Sequence, residues 1–499
     1  MRILIFHGYL LRGTGSNVYN AELAAALARL GHEVHLVCQD RDLADAGLAG
    51  LGIQLYNPDI GRVLPVYVQD SYEGFEAKRF LDCTDAEIAH YVDANVAAVR
   101  EIAERVAPDL ALANHAVMGP VVLARALGDT VPYAAKIHGS ALEYVVKLDM
   151  PRFGPFAREG LERARGVLVG SLHTAESLWA AMEGLELRSR TRLGPPGVDV
   201  DAFAPRERGE AIARLRELAR RLEAMPHRDE AGSFARDEAT AGRALASLEP
   251  ERDRLVSFVG KLILSKGVDL LAAAWPLVLE RVPNAQLVVV GFGAFRQGFE
   301  ELLAALGRGD LAAVHRLAAA GRAAEGGAAA QLEMLSAFLD SLDGEARDAY
   351  FAAARRLPER VTMVGRLEYA ELADLLPVCE AQLVPSTFPE AFGMVAAEAA
   401  ACGVLPISAA HSGLAEVSHT LAGAVPGQAR ALLSFELGPD AVRDLAARIV
   451  GWLEMDEPVR AQTRDALVHT AREHWSWEGV ARGVIAAAQG RLDDLPPPR

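Results

Sequence analysis

Short apolar runs alternate with amphipathic helical patterns through most of the chain. The first forty residues predict a strand at 2–6, a glycine turn, a helix with Leu23, Leu27 and Leu30 on one face, and a strand at 34–37. Helical patterns such as 95–106 separate further predicted strands at 110–113, 133–138 and 167–169. This alternation predicts a parallel sheet with crossover helices.

A second series of the same kind begins near residue 255. Its predicted strands are 255–259, 287–290, 361–364, 382–384 and 404–407. Between the two series, residues 194–199 are rich in turn formers, which cannot continue a helix and suit a domain connection. We therefore expect an α/β protein with Rossmann-like domains at 1–198 and 199–472.

Two stretches, near 206–254 and 295–358, interrupt the second series. Both are rich in Ala, Arg, Glu and Leu at helical spacing, and neither holds a chemical motif. We predict helical insertions that act as lids or as surfaces of a homo-oligomer. Residues 496–498 are all proline and predict an irregular, flexible tail.

Composition and charge narrow the class of partner. The chain has 51 basic and 67 acidic side chains, a balance of −16 that opposes general binding to nucleic acid or anionic lipid. No targeting segment precedes the first strand and no run of about 18 apolar residues is present, so we expect a cytoplasmic protein without membrane insertion. The widely spaced cysteines predict no zinc site or disulfide framework.

Lysine is rare in this chain, with five residues against 46 arginines, so its positions are informative. Gly260 and Lys261 close the first predicted strand of the second domain, and Lys266 follows before an apolar helix. Both ammonium groups can project from one loop toward a pyrophosphate, for which compact cations are well suited. The alternative is a pair of solvated surface lysines.

The first domain offers weaker signals. Gly13 and Gly15 fit the start of a dinucleotide fingerprint, but Val18 stands where the third glycine belongs, which weakens the case for nicotinamide binding. A glycine turn that opens a helix can still bind an anion, unless it is only a tight connection. His138 ends a predicted strand, where open sheets place ligand-contacting groups, although a single histidine can be purely structural.

The strongest signal is the segment 385–398, which runs from a strand end through a loop into a helix. Glu390 precedes the predicted helix, and Glu398 lies about two turns inside it. The two carboxylates can accept hydrogen bonds from sugar and ribose hydroxyls, while free amides at the helix start face a diphosphate. The alternative for Glu390 is ordinary helix capping.

With these residues the chain resembles the retaining glycosyltransferases of family 4. Their fold is GT-B, in which two Rossmann-like domains face each other across a cleft. The resemblance spans most of the chain, and its motifs together are highly specific. They are the glycine loop at 13–15, the segments 137–139, 171–177 and 196–199, the pairs 260–261 and 266–267, and the segments 364–367 and 385–398.

The resemblance implies a nucleotide-sugar donor site mainly on the second domain. Lys261 and Lys266, with Gly260, are expected to hold the diphosphate, and Glu398 the ribose hydroxyls. The backbone near Gly365 and Arg366 is expected to contact the base. The residues expected to grip the donor sugar are Glu390, Ala391, Phe392, Gly393, Met394 and Val395.

From the first domain, the resemblance implies that Gly13 and Gly15 close over the diphosphate and that His138 lies near the reacting carbon. His138, Glu390, Lys261 and Lys266 are thus the candidate catalytic residues. The segment 473–499 resembles the family helix that crosses back onto the first domain.

The implied reaction is metal-independent sugar transfer with retention at the anomeric carbon. No Asp-x-Asp pair stands at a strand end, and no cofactor is expected because the nucleotide sugar is a substrate. Family frequency favours uridine diphosphate sugars, and the acidic balance of 56–91 favours a small soluble acceptor over a membrane-bound one. The alternatives are a nucleotide-sugar epimerase, a phosphorylase or a non-catalytic binding protein on the same scaffold.

Overall fold

The computed structural model describes residues 1–11, 15–41, 43, 47–67, 74–225 and 236–498. These residues divide into two units. The first contains Met1–Gly197 and Trp475–Arg499, and the second contains Val198–Glu230 and Arg236–His474, in each case within the described ranges. Gly13 of the predicted glycine turn lies outside the described residues.

Parallel strands form the main sheet of the first unit. Its strands, with a small pair formed by β4 and β5, are β1 (Arg2–Phe6), β2 (Glu33–Val37), β3 (Gln54–Tyr56), β4 (Val63–Val66), β5 (Glu76–Arg79), β6 (Leu110–Asn114), β7 (Tyr133–Ile137), β8 (Gly166–Val169) and β9 (Thr191–Leu193). The order in the main sheet is β3-β2-β1-β6-β7-β8-β9. The helices are α1 (Gly15–Arg29), α2 (Asp85–Val106), α3 (Gly119–Leu127), α4 (Met150–Arg163), α5 (Leu172–Ala181) and, at the C-terminal end, α20 (Trp477–Ala488).

Strand β1 shows why both faces of this sheet are apolar. Leu4 and Phe6 belong to the core formed with α2, α3 and α4, whereas Ile3 and Ile5 belong to the core formed with α1 and α20. Successive side chains of a strand point to opposite faces, so a sheet covered by helices on both faces needs a continuous apolar run. Helix α20 therefore completes the core of the first unit.

The second unit is built on another parallel sheet, in the order β12-β11-β10-β13-β14-β15. Its strands are β10 (Arg254–Val259), β11 (Ala285–Val290), β12 (Val361–Gly365), β13 (Ala381–Val384), β14 (Leu405–Ala409) and β15 (Ser434–Phe435). Its helices are α6 (Arg208–Glu223), α7 (Glu238–Ala246), α8 (Val268–Arg281), α9 (Arg296–Arg308), α10 (Leu311–Ala320), α11 (Glu333–Asp340), α12 (Gly344–Ala354), α13 (Leu357–Arg360), α14 (Tyr369–Leu375), α15 (Met394–Ala401), α16 (Ser412–Ala422), α17 (Gly427–Arg430), α18 (Ala441–Leu453) and α19 (Glu457–Trp475).

Both predicted insertions are helical. Helices α6 and α7 lie in the first insertion and pack on each other, whereas α9 to α12 fill most of the second. The second insertion packs on α8, where the buried Tyr350 hydroxyl of α12 donates to the carbonyl oxygen of Ala273 at 3.0 Å. This insertion is thus part of the helical layer that covers the sheet.

The strands predicted from apolar runs are present within two residues of their predicted ends. The strands that were not predicted, β3, β4, β5, β9 and β15, are two to four residues long and too short for a periodic signal. The helix predicted at 95–106 already begins at Asp85, where Thr84 and Glu87 form a capping box. His138 follows β7 rather than ending it.

Within the described ranges, no helix combines the length and the apolar character needed to cross a bilayer. The same residues contain no group of three or more His, Cys, Asp or Glu side chains placed to hold a metal ion. All four cysteines are buried free thiols.

Candidate active site

The carboxyl ends of β10, β11 and β12 lie close together because glycines occupy the positions where their backbones meet. The Gly260 N–H donates to the carbonyl oxygen of Val290 at 3.0 Å, and the Gly291 N–H donates to that of Gly365 at 2.8 Å. A side chain at Gly291 would overlap the carbonyl oxygen of Gly260, so only glycine permits this approach. Lys261 and Gly365, predicted to contact different parts of one ligand, therefore lie on adjacent loops.

Residues 260–267, after β10, form what we call the lysine loop. Its turn at Leu264–Lys266 ends at Gly267, which has a φ of +69° and whose added Cβ would overlap the carbonyl oxygen of Pro385. The Thr387 N–H donates to a carbonyl oxygen of the turn at 2.9 Å. The loop is thus held tightly against the loop that follows β13.

Glu390 lies in that neighbouring loop, residues 385–393, which we call the glutamate loop. The Lys266 ammonium donates to Glu390 Oε1, and the two side chains are 31% and 25% exposed. The Ser386 hydroxyl donates to the same oxygen at 2.7 Å. The backbone of Glu390 is also fixed, because its N–H donates to Ser412 Oγ and its carbonyl oxygen accepts from Gly413, both at 2.9 Å.

Two supporting side chains, those of His411 and Ser412, were not predicted from the sequence. His411 Nε2 donates to the carbonyl oxygen of Ser386 at 2.7 Å, and His411 Nδ1 lies 3.1 Å from Ser412 Oγ. His411 and Ser412 follow directly after the end of β14 and its short turn. A polar pair at a strand end is the signal that identified His138, and it would have found this pair as well.

The start of α15 has no side-chain cap. Its N-cap residue is Gly393, so the alternative that Glu390 is an ordinary helix cap is wrong. The backbone of Ala391 and Phe392 packs so closely on Gly413 that a Cβ there would overlap it. Met394 begins the helix, and its first N–H groups are left for water or a ligand.

Glu398 lies in the second turn of α15 and is 3% exposed. Burial raises the pKa of its carboxyl to about 8. The carboxyl makes no hydrogen bond or ion pair with the residues that the structure describes. It therefore carries a proton at neutral pH and is free to exchange hydrogen bonds with a ligand hydroxyl.

Arg366 follows β12 at the same edge of the sheet. Its guanidinium donates to Glu368 at 2.8 Å and lies 6.0 Å from the centre of the Phe292 ring. Gly365 before it has a φ of +84°, which reverses the chain after the strand. Gly365 and Arg366, which we call the shelf, lie beside Gly291, the glycine that follows β11.

In the first unit, a chain of hydrogen bonds leads to His138. His138 Nε2 donates to Asn114 Oδ1 at 2.8 Å, Asn114 Nδ2 donates to Asn20 Oδ1 at 2.7 Å, and Asn20 Nδ2 donates to His7 Nδ1 at 3.0 Å. Because Asn114 offers its oxygen, the proton of the neutral imidazole lies on Nε2. His138 thus keeps the lone pair on Nδ1.

Burial keeps His138 neutral. It lowers the pKa of the imidazole well below the usual value, and the nearby His115 and Lys136 lower it further. Lys136 is itself buried, with its pKa lowered to about 7, and donates to the carbonyl oxygen of Gly194 at 2.5 Å. Gly15 begins α1 and has open space where a Cβ would lie, so packing does not require glycine there.

The structure therefore divides the predicted site residues between its units. Lys266 and Glu390 are in direct contact in the second unit, where the Lys261 ammonium has no ion-pair partner among the described residues. Gly15 and His138 belong to the first unit.

Two family models match the chain. Residues 14–183 match the glycosyl transferase 4-like domain, and residues 339–432 match the glycosyl transferases group 1 domain. The first match contains His138, and the second contains Arg366, Glu390 and Glu398. Lys261 and Lys266 lie between the two matched segments.

Curated relatives are similar over part of their length. The D-inositol 3-phosphate glycosyltransferase of Segniliparus rotundus is 28% identical over 274 residues, which are 54% of this chain and 47% of that protein. The glycogen synthase of Mycobacterium tuberculosis is 29% identical over 242 residues, 48% of this chain and 50% of that protein. The chain thus spans about half the length of these relatives.

Solved structures are similar over nearly the whole chain. Anabaena Alr3699/HepE in complex with UDP and glucose has a TM-score of 0.58 at 16% identity and covers 98% of this chain and 99% of its own. Sucrose-phosphate synthase from Thermosynechococcus elongatus has a TM-score of 0.55 at 19% identity and covers 99% of both chains. At these identities the likeness concerns the fold.

Proposed function

Because the chain belongs to the group 1 glycosyltransferases and has the GT-B fold, we propose that it transfers a sugar from a nucleoside diphosphate sugar to a small acceptor, with retention at the anomeric carbon, as in family 4. The observation that carries the proposal is the contact between Lys266 and Glu390. It presents a cation for the diphosphate and a carboxylate for the sugar at one edge of the second sheet.

Lys261 and Lys266 provide most of the electrostatic stabilisation of the leaving diphosphate. When the bond between the anomeric carbon and the diphosphate oxygen breaks, negative charge grows on the leaving oxygen. Lys261 and Lys266 stabilise that charge without a metal ion, and the free amides at the start of α15 add to it. The acceptor oxygen bonds to the anomeric carbon on the same face, and its proton passes to the leaving phosphate.

Glu390 positions the donor sugar rather than attacking it. Ser386 and Lys266 hold one of its carboxylate oxygens, and Ser412 and Gly413 fix its backbone. A carboxylate held in this way can accept hydrogen bonds from sugar hydroxyls in one fixed orientation.

Glu398 binds the ribose hydroxyls, and the shelf at Gly365 and Arg366 binds the base. The solved structure of Anabaena Alr3699/HepE was obtained with UDP-glucose, and that observation favours a uridine donor for this chain. For His138 we propose a contact with the donor sugar, made by its neutral imidazole through a hydrogen bond rather than a charge.

The acceptor is proposed to be a small hydroxyl compound that binds to the first unit. One relative is named for the acceptor D-inositol 3-phosphate, which is a small polyol. In the acidic segment from which a soluble acceptor was predicted, Lys78 pairs with Glu87 at 2.8 Å and Arg79 pairs with Asp82 at 2.6 Å. These pairs engage two of the basic side chains of the segment, Lys78 and Arg79, which does not favour docking on an anionic membrane.

The test combines a donor screen with Glu390→Gln. A panel of nucleotide sugars is incubated with the chain, with and without candidate acceptors, and the products are identified by mass spectrometry. We expect the wild type to release nucleoside diphosphate, and Glu390→Gln to lose most of the rate while it still binds that product. Near-normal turnover of Glu390→Gln would refute its assigned role.

The same screen separates the alternatives. An epimerase changes the donor without any acceptor, a phosphorylase requires inorganic phosphate, and a non-catalytic protein binds the nucleotide without turnover. Any of these results would replace the proposed reaction.

A further inference from the structure

The second helical insertion reaches into the lysine loop. Glu325 ends a short 3-10 helix, Arg322–Glu325, that follows α10, and its Oε1 accepts a hydrogen bond from the Leu264 N–H at 2.6 Å. Leu264 begins the turn that ends in Lys266. A residue 61 positions away in the sequence therefore holds the start of this turn.

The hydrogen bond acts on a backbone group that has no other partner in the turn. The first N–H groups of a helical turn cannot bond within it, and a buried N–H without a partner is costly. The glutamate loop holds the middle of the turn through the Thr387 N–H, but that contact leaves the Leu264 N–H unbonded. Glu325 thus binds the N–H of Leu264, whereas the glutamate loop binds carbonyl oxygens of the turn, through the Thr387 N–H at 2.9 Å and, at Leu264 itself, through Thr387 Oγ1 at 3.4 Å.

The segment that carries Glu325 is itself anchored. Gly326 has a φ of +80° and ends the 3-10 helix, and the Leu332 N–H donates to the carbonyl oxygen of Ala318 at 2.9 Å. The charge of Glu325 also reaches Asp269 at the start of α8, whose pKa is raised to about 6, first by burial and then by Glu325. Glu325 therefore lies close to both the lysine loop and the helix that follows it.

We infer that Glu325 is a positioning residue for the donor diphosphate, through which the second insertion sets the place of the Lys266 ammonium. The inference rests on the proposed function and assigns the insertion a role beyond that of a lid or an oligomer surface. Glu325 does not contact the phosphates in this scheme. Without its hydrogen bond, Leu264 is held from outside the turn only by the long 3.4 Å bond from Thr387 Oγ1, and the ammonium spends less time where a diphosphate needs it.

The test measures binding of the nucleoside diphosphate selected by the donor screen, using isothermal titration calorimetry. Glu325→Ala is expected to weaken binding by about 10- to 150-fold, the range that corresponds to the loss of one hydrogen bond to a charged group. Glu325→Gln keeps an acceptor oxygen for the Leu264 N–H and is expected to bind within about threefold of the wild type. The matched control is Glu345→Ala, because Glu345 is exposed in the same insertion and is expected to leave binding unchanged.

A double-mutant cycle separates positioning from a general loss of structure. If Glu325 acts through Lys266, Glu325→Ala should lower the affinity for the nucleoside diphosphate less than about twofold when Lys266 is already alanine. The inference is overturned if Glu325→Ala binds like the wild type, if Glu325→Gln is as weak as Glu325→Ala, or if the loss is equal in both backgrounds. A wild type that binds no nucleoside diphosphate would overturn the proposed function as well, whereas the other outcomes leave it standing.

Discussion

Replacing Lys266 with alanine tests the proposed donor site most directly. An ammonium about 4 Å from a phosphate oxygen is worth about 4 kcal/mol at an effective dielectric constant of about 20. Without the donor, this ammonium already interacts with Glu390, and the side chains of that pair are 31% and 25% exposed. Pairs of this exposure contribute at most about 1 kcal/mol.

The difference leaves about 3 to 4 kcal/mol for the diphosphate, so Lys266→Ala should weaken its binding by about 150- to 700-fold. For the nucleoside monophosphate, which lacks the outer phosphate, the same substitution should lower the affinity less than about tenfold. Isothermal titration calorimetry with both nucleotides measures the two losses. Stability should fall by no more than about 1 kcal/mol, because only one partly exposed ion pair is removed.

Lys78 provides the matched control. It pairs with Glu87 at 2.8 Å, and the two side chains are 29% and 28% exposed, almost the same as in the pair at the candidate site. Lys78→Ala should therefore change stability to a similar extent and leave nucleotide binding unchanged. Lys266 is not a diphosphate ligand if Lys266→Ala is folded and binds the diphosphate within about threefold of the wild type, or if Lys78→Ala weakens binding equally.

Further predictions concern burial, backbone conformation and the histidine of the first unit. Burial raises the pKa of Glu398 to about 8 from an ordinary value of 4.5. Between these pH values the folded chain keeps a proton that the unfolded chain loses, so the free energy of unfolding falls as the pH rises. Urea unfolding should show Glu398→Gln gaining up to about 3 kcal/mol over the wild type at pH 7 and nothing near pH 4; an equal gain at both pH values would contradict this. In the same assay, Gly267→Ala should lower the free energy of unfolding by about 2 to 4 kcal/mol, because its Cβ would overlap a carbonyl oxygen. Gly184 has a φ of +84° but open space around it, so Gly184→Ala should lower the free energy of unfolding by only about 1 kcal/mol. Asn114→Ala removes the acceptor that orients His138 and should lower turnover by about tenfold or more without changing diphosphate affinity; unchanged turnover would remove His138 from the reaction.

Much of the fold was predictable because its signals are local. The apolar run at 255–259 gives β10 within one residue, and the glycines and lysines after it give the position of the lysine loop. Glu390 and Glu398 were identified from their spacing around one helix start, and α15 begins between them. The spacing of apolar residues and the preferences of turn-forming residues act over a few positions, so they can be read from the sequence.

Other features were missed or had no local signal. Helix α2 was predicted ten residues too short, although the capping box of Thr84 and Glu87 and the buried Ile88, Tyr91 and Val92 are local signals for its start. The support that His411 and Ser412 give to the glutamate loop depends on β14 lying beside β13 in the sheet. Strand order of this kind is not encoded in the spacing of apolar residues.

The sequence by itself thus determined the longer strands and the two helical insertions, and it predicted the residues that are proposed to bind a phosphate and a sugar. Only the tertiary structure decided that Lys266 contacts Glu390 across 124 positions, that Glu325 holds the turn before that lysine, and that Glu398 is buried enough to carry a proton at neutral pH. The physical reason is that local conformation depends on neighbouring residues, whereas ion pairing and desolvation depend on which distant segments the strand order brings to one edge of the sheet.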